Sequence, residues 1–304
     1  MKKIRLLITY FIAIVCVMTY LFFPKNEKVV FSPHSTIVPR YLIYMMDKTQ
    51  LVPVTITAEL SEIEEEKILQ LLQTMKQKLD FHELTPVFPQ SLNCLSVKII
   101  DDLVQVNFNE AFYTMNGTYE MRCIEAIVSV ITQIDARYQV EFLVNQNIVE
   151  EMPLSKMPMK PFDRTLGVNN FDLNAKDMHT TQSRLVVYRN DSNLDVKYSI
   201  VTKRISNQQD DRTFLNSVMK DTSMLLQIEK LEVQDRIMTL HLNPSFLKEE
   251  MLVDVKEIEP LLLTILMNDM ADTFILKVND ETVSFNGTSD TRISLQDLNY
   301  NRIE

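Results

Sequence analysis

Acidic side chains offer the first chemistry in this chain. Asp101 and Asp102 stand side by side, and Glu120 and Glu125 follow close behind. Two carboxylates at ~5–10 Å can serve as acid and base at a glycosidic bond, so remodelling of a wall polymer is one reading. Against it, the stretch that repeats these residues 134 positions later carries Asp235-Arg236 in place of the acid pair. The cheaper account of Asp101-Asp102 is a hairpin turn. Glu120 and Glu125 read more simply as acidic residues near a helix start, where they complement the dipole. Glu62, Glu64, Glu65 and Glu66 form an acidic run that reads as the solvated start of another helix. The four histidines (His34, His82, His179, His241) are scattered, and no metal-ligand spacing of cysteine and histidine occurs. Cys94 and Cys123 read as isolated thiols, with a disulfide as the alternative. Catalysis needs a nucleophile, a positioned base and a stabiliser of developing charge. The sequence supplies scattered parts, so no catalytic residue, cofactor or metal is expected.

The elements that must position these residues are written twice. DDLVQVNFNEAF at Asp101–Phe112 returns as DRIMTLHLNPSF at Asp235–Phe246. In the first copy Val97 and Ile99, then Leu103, Val104, Val106 and Phe108, alternate about a polar turn, as a half-buried hairpin does. The same offset carries Ile124-Glu125 onto Ile258-Glu259 and Val144-Asn145 onto Val278-Asn279. Upstream, LIYMMDKTQL (Leu42–Leu51) matches LVVYRNDSNL (Leu185–Leu194) at a slightly larger offset. Ile68, Leu71, Leu72, Met75 and Leu79 fall at helical spacing, with Ser61 and Glu64 as a capping box. Phe214, Leu215, Val218 and Met219 make the equivalent stripe behind Asp210 or Asp211. Each unit reads strand, strand, helix, hairpin, helix, strand. The expected class is α+β, with two tandem two-layer domains. Each would be a mainly antiparallel sheet with two helices on one face, after an N-terminal transmembrane helix. The boundaries read as 1–24 for stub and anchor, 36–150 for the first domain and 151–183 for a linker. The second domain takes 184–286, and 287–304 is a tail.

The anchor is the run LLITYFIAIVCVMTYLFF from Leu6 to Phe23, uncharged and preceded by Lys2, Lys3 and Arg5. As a helix it spans ~27 Å, near the hydrocarbon thickness. The positive flank places the bulk of the chain outside the cytoplasm. A cleaved signal peptide competes, though no small-x-small site follows Phe23, and lipidation at Cys16 competes, though Val15 is not the small residue it needs. The net charge of −10 and the absence of a basic stripe make nucleic acid a poor partner. Only three glycines are present, too few for a phosphate-cradling loop.

LIYMMDKTQLVPVTITAEL (Leu42–Leu60), LSVKIIDDLVQVNFNEAF (Leu95–Phe112) and TMNGTYEMRCIEAIVSVITQ (Thr114–Gln133) together resemble the GerMN domain, the module duplicated in GerM-type sporulation and germination proteins. The second copy departs from the pattern. Met251 stands where the first has Gly117, and Pro260 falls inside the expected last helix, which should start late or kink. The resemblance implies a non-enzymatic protein anchored in the cell membrane. Its bulk would lie in the space between mother cell and forespore, where it assembles or stabilises an envelope or secretion-like complex. Peptidoglycan is the alternative ligand. The surface expected to meet a partner is the turn Asn116-Gly117 with Tyr113, Tyr119 and Glu120 around it. For Asn116-Gly117 the simpler reading is a turn whose glycine permits positive φ.

Overall fold

The computed structural model describes residues 39–79, 84–115, 117–170, 181–189, 197–221, 227–243, 252–253, 255–285, 292–294 and 300–301. The expected anchor, with Leu6 and Phe23, lies outside the described residues. Among those described, no helix is long and apolar enough to cross a membrane.

The chain opens on a hairpin of β1 (Arg40–Asp47) and β2 (Gln50–Thr57), followed by α1 (Glu64–Thr74) and the short β3 (Thr85–Pro86). A second hairpin, β4 (Cys94–Ile100) and β5 (Leu103–Phe108), leads through a 3-10 turn, Glu110–Thr114, into α2 (Gly117–Thr132). Then come β6 (Gln139–Val144) and β7 (Asn147–Ile148). The second copy repeats the order: β8 (Thr181–Arg189), β9 (Tyr198–Ser206), α3 (Asp211–Asp221), β10 (Ile228–Gln234) and β11 (Ile237–Leu242). It continues with β12 (Leu252–Val253), α4 (Val255–Met267), β13 (Thr273–Val278), β14 (Glu281–Thr282), β15 (Ser284–Phe285) and β16 (Arg292–Ser294).

The duplication is kept to the residue. Leu103 pairs with Gln139 in parallel β5 and β6, and Ile237 pairs with Thr273 in parallel β11 and β13. Both members are shifted by the same 134 positions. The tight turns repeat as well. Asn145-Gln146 and Asn279-Asp280 each have two positive φ values, the geometry that suits a two-residue hairpin turn. The sheets are mainly antiparallel. The parallel pairs span the crossover helices: β5 with β6 across α2, and β11 with β13 and the short β12 with β15 across α4.

One expectation needs revising. Among the described residues the first copy holds two sheets rather than one, and the second holds three, the smallest being β12 with β15. The first hairpin stands apart as β2-β1-β3, and the other is β4-β5-β6-β7. Likewise β8-β9 stands apart from the sheet that runs β10-β11-β13-β14, with β16 on β13. The reason is that β2 and β9 are committed to each other's copy, as described below. The helices behave as their stripes require: Ile68, Leu71 and Leu72 of α1 and Phe214, Leu215, Val218 and Met219 of α3 are buried. Asp210 caps α3 by accepting the Thr213 N–H at 2.9 Å. Ser61 does not form the expected capping box. Its hydroxyl takes the Ile63 N–H and donates to Glu66 at 2.7 Å, and α1 starts at Glu64 without a side-chain cap. Pro260 lies in the second turn of α4, which starts at Val255, four positions later than the equivalent of Gly117. Pro260 is the sixth residue of the helix, so the carbonyl of Lys256 in the first turn goes without its usual i+4 donor.

Candidate functional site

The residues expected to meet a partner fall in different environments. Tyr113 is 40% exposed in the 3-10 turn, its ring edge-on to buried Phe112. Tyr119 is partly buried against the core. Glu120 is fully buried, and its two oxygens accept the backbone N–H groups of Leu154 at 3.1 Å and Ser155 at 2.8 Å. It ties the chain after β7 to the first turn of α2 and is not presented at the surface. Gly117 opens α2, and Asn116 lies outside the described residues. Around Tyr113 the same end of the first copy leaves Ile148 and Leu154 more than half exposed. The Asn145 amide meets Glu110 of the 3-10 turn at 3.3 Å, which brings the β6–β7 turn to this end.

The remaining candidates are spent on structure. Asp101 and Asp102 are exposed in the β4–β5 turn, with Arg137 at 3.9 Å from Asp102. Cys94 and Cys123 are free thiols. Burial pushes Cys94 up to about 12, far from a reactive thiolate. Among the described residues no set of three His, Cys, Asp or Glu side chains could hold a metal ion.

A different constellation has no counterpart in the sequence reading. It lies where β2 of the first copy faces β9 of the second. Pro53 lacks the N–H that a regular ladder across this line would need. Two asparagine side chains stand in for it. Asn169 Oδ1 accepts Leu51 N–H at 2.7 Å, and its Nδ2 donates to Leu51 O and Ile200 O, each at 2.7 Å. Asn301 Oδ1 accepts Tyr198 N–H at 2.9 Å and Lys197 N–H at 2.7 Å. Its Nδ2 donates to Tyr198 O and Pro53 O, each at 2.8 Å. Each amide fills both donor positions and its acceptor while 0–3% exposed.

The arrangement is twofold in kind. Asn169, from the segment after the first copy, grips Leu51 and reaches across to Ile200. Asn301, from the segment after the second copy, grips Tyr198 and reaches across to Pro53. Their neighbours follow the rule. Thr202 Oγ1 accepts Val168 N–H at 2.7 Å and donates to Val168 O at 2.6 Å, and Thr55 exchanges backbone and hydroxyl bonds with Tyr300 at 2.8 Å. The segments read as linker and tail therefore do the same work. Before reaching the junction, each pairs with the parallel strand of its own sheet, at Phe162 on Val140 and at Ile293 on Phe274.

Glu125 holds the first of these segments down. Its oxygens accept Asn169 N–H at 2.9 Å and Asn170 N–H at 3.1 Å, and Arg122 Nη1 stands at 2.7 Å. The carboxylate is fully buried, and burial pushes it up to about 7 against the lowering pull of Arg122 and the two N–H groups. Gly167 makes the turn into this segment at φ 78°, ψ −171°, a region that belongs to glycine, and a Cβ there would sit 2.3 Å from Thr202 Oγ1. The signal that could have found the junction is slight: an asparagine in each post-copy segment, 132 residues apart, with no shared motif around it.

Residues 42–150 match the Germane family, described as sporulation and spore germination. Among solved structures, the tandem GerMN domains of the sporulation protein GerM from Bacillus subtilis align at TM-score 0.65 and 20% identity, over 80% of this chain and 92% of that one. The first GerMN domain of that protein aligns at TM-score 0.37 and 20% identity, over 41% of this chain and 98% of its own. A putative lipoprotein from Clostridium perfringens aligns at TM-score 0.31 and 25% identity, over 41% of this chain and 87% of its own. No curated protein matches the chain. The family match thus falls on the first copy, and across both copies the fold is similar to that of the tandem GerMN domains.

Proposed function

We propose that this protein is a non-catalytic assembly component of the cell envelope during sporulation or germination. In this reading the run from Leu6 to Phe23 holds it in the cell membrane. The two copies outside the cytoplasm recruit or brace other envelope proteins. The observation that carries the reading is the junction. Buried polar groups of the two copies, Asn169 and Asn301 above all, are used to fix one copy against the other. A device of that kind suits a rigid spacer with two fixed faces better than a site that must admit a substrate. The exposed side chains Tyr113, Ile148 and Leu154 give the first copy an apolar end suited to a protein contact.

In-cell cross-linking of the full-length tagged protein, in growing and in sporulating cells, tests this. A defined set of membrane-complex proteins captured only during sporulation is the expected outcome. Recovery of wall fragments alone, equal in both states, would overturn it in favour of a peptidoglycan ligand.

A further inference from the structure

Among the described residues most strand edges are closed. The outward groups of β2 and β9 are taken by Asn169, Asn301 and Tyr300. β1 is covered by β3 and by Gln133, whose amide takes Leu42 N–H and donates to Leu42 O. β8 is covered in the same way by Asn268 on Leu185. β6 is covered by β7 and the Phe162 bridge, and β13 by β14 and β16. Among the described residues two long edges keep free groups, β4 and its counterpart β10, the outer strands of their sheets, and at the start of β10 Asn216 takes both backbone groups of Ile228 and Arg212 the carbonyl of Glu229.

These two edges are not alike. β10 reads IEKLEVQ, and its exposed Glu229, Lys230 and Glu232 put alternating charge along the strand. Lys230 pairs with Glu232, which His241 also approaches at 3.5 Å. Charges on an edge are the usual defence against strand addition. β4 reads CLSVKII and carries one charge, Lys98, with no carboxylate at ion-pair distance among the described residues. Leu95 is 51% and Ile100 41% exposed. The register fixes which backbone groups are free. Ile100 and Leu103 flank a two-residue turn, so they form a hydrogen-bonded pair, as do Lys98 with Gln105. The N–H and C=O groups of Val97 and Ile99 then point away from β5, and no described backbone group pairs with them. The hairpin tip adds Asp101, while Asp102 is partly neutralised by Arg137.

We infer that the free edge of β4 takes an added strand from another protein, an extended segment with alternating apolar side chains and a carboxylate placed to meet Lys98. The occupant follows from the charge. In a chain of net charge −10, an unpaired lysine amid apolar neighbours selects an acidic residue and repels a basic one. A second copy of this strand would bring the same positive charge and no carboxylate. Main-chain bonds from Val97 and Ile99 supply affinity, and the face carrying Ser96, Lys98 and Ile100 supplies selectivity. This inference rests on the assembly reading above and names its contact.

The test places a photo-reactive residue at Ser96, at Ile100, or at Glu232 on the β10 edge, in the full-length protein in the cells that make it. Adducts from Ser96 and Ile100 are expected to map to one stretch of one partner, about four residues apart, as strand pairing requires. Lys98→Glu is expected to cut their yield about tenfold, and Lys98→Arg to keep it. Glu232 is expected to give no adduct with that stretch. The inference falls if the adducts scatter, ignore the charge at 98, arise equally from β10, join two copies of this chain, or do not form. If β4 gives no adduct while undirected cross-linking still captures an envelope assembly, only the strand contact is lost. If neither captures anything, the assembly reading goes with it.

Discussion

Glu125 concentrates the energetics of the junction in one ionisable group. The folded chain keeps its proton up to about pH 7, whereas an ordinary glutamate releases it near 4.5. Its contribution to stability is therefore full below about 4.5 and is lost as pH rises to about 7. The other charged or titratable groups that interact with it are Arg122 on its own helix and Tyr44 of β1. Neither has an ordinary pKa in that interval. Glu125→Gln is expected to remove the fall while setting an amide donor against one of the two N–H groups of Asn169 and Asn170, so the variant is less stable overall but flatter with pH. Urea unfolding of both proteins between about pH 5 and 8 reads this directly. A wild-type protein that loses no more stability than the variant across that interval would show that Glu125 stays ionised in the fold.

At the scale of elements, the helices do more than fill the core. α2 is followed by Gln133, which meets both backbone groups of Leu42, at 2.8 and 2.7 Å, and α4 is followed by Asn268, which does the same to Leu185 at 2.9 and 2.7 Å. Each amide closes the outer edge of a hairpin that would otherwise offer free groups to other chains. Gln133→Leu and Asn268→Leu are each expected to cost about 1–2 kcal/mol, because two hydrogen bonds go and a half-buried backbone pair is left unmet. Amide exchange at Leu42 or Leu185 should speed up in the matching variant alone. Equal protection in wild type and variant would mean that the clamps are incidental. Much at this scale was legible in the sequence. The alternation of Leu103 to Phe108, the stripe of Phe214 to Met219 and the 134-residue echo set the element order, because hydrophobic period is a local property. The capping box at Ser61 was misread because several acidic residues follow the serine and its hydroxyl found Glu66 first. The separation of the first hairpin from the main sheet was not legible, because it depends on what β2 meets across the molecule. Glu120 and Glu125 looked alike as helix-start acids, and only the segments folded over them distinguish them from solvated residues.

At the scale of the whole chain, residues 39–304 form one compact unit although the sequence is a duplication. Two copies joined only by a tether would unfold independently. Here β2 and β9 are joined through amides whose loss leaves Leu51, Pro53, Tyr198 and Ile200 with buried backbone groups unmet, each worth about 1–3 kcal/mol. That cost falls on both copies at once, because each asparagine serves strands of both, so melting either copy strips the other. The wild-type protein is expected to unfold in a single calorimetric transition. Replacing Asn169 and Asn301 together by alanine is expected to split it into two, with the less stable copy melting first. Either single replacement should lower the midpoint without the split, since the remaining asparagine still spans the line. Ending the chain before Tyr300 should behave like Asn301→Ala or worse, as it also removes the exchange with Thr55 and the hydroxyl bond to Leu263. If the double variant still melts in one transition near the wild-type midpoint, apolar packing across β2 and β9 is enough to couple the copies. A rigid spacer would then owe nothing to the two asparagines.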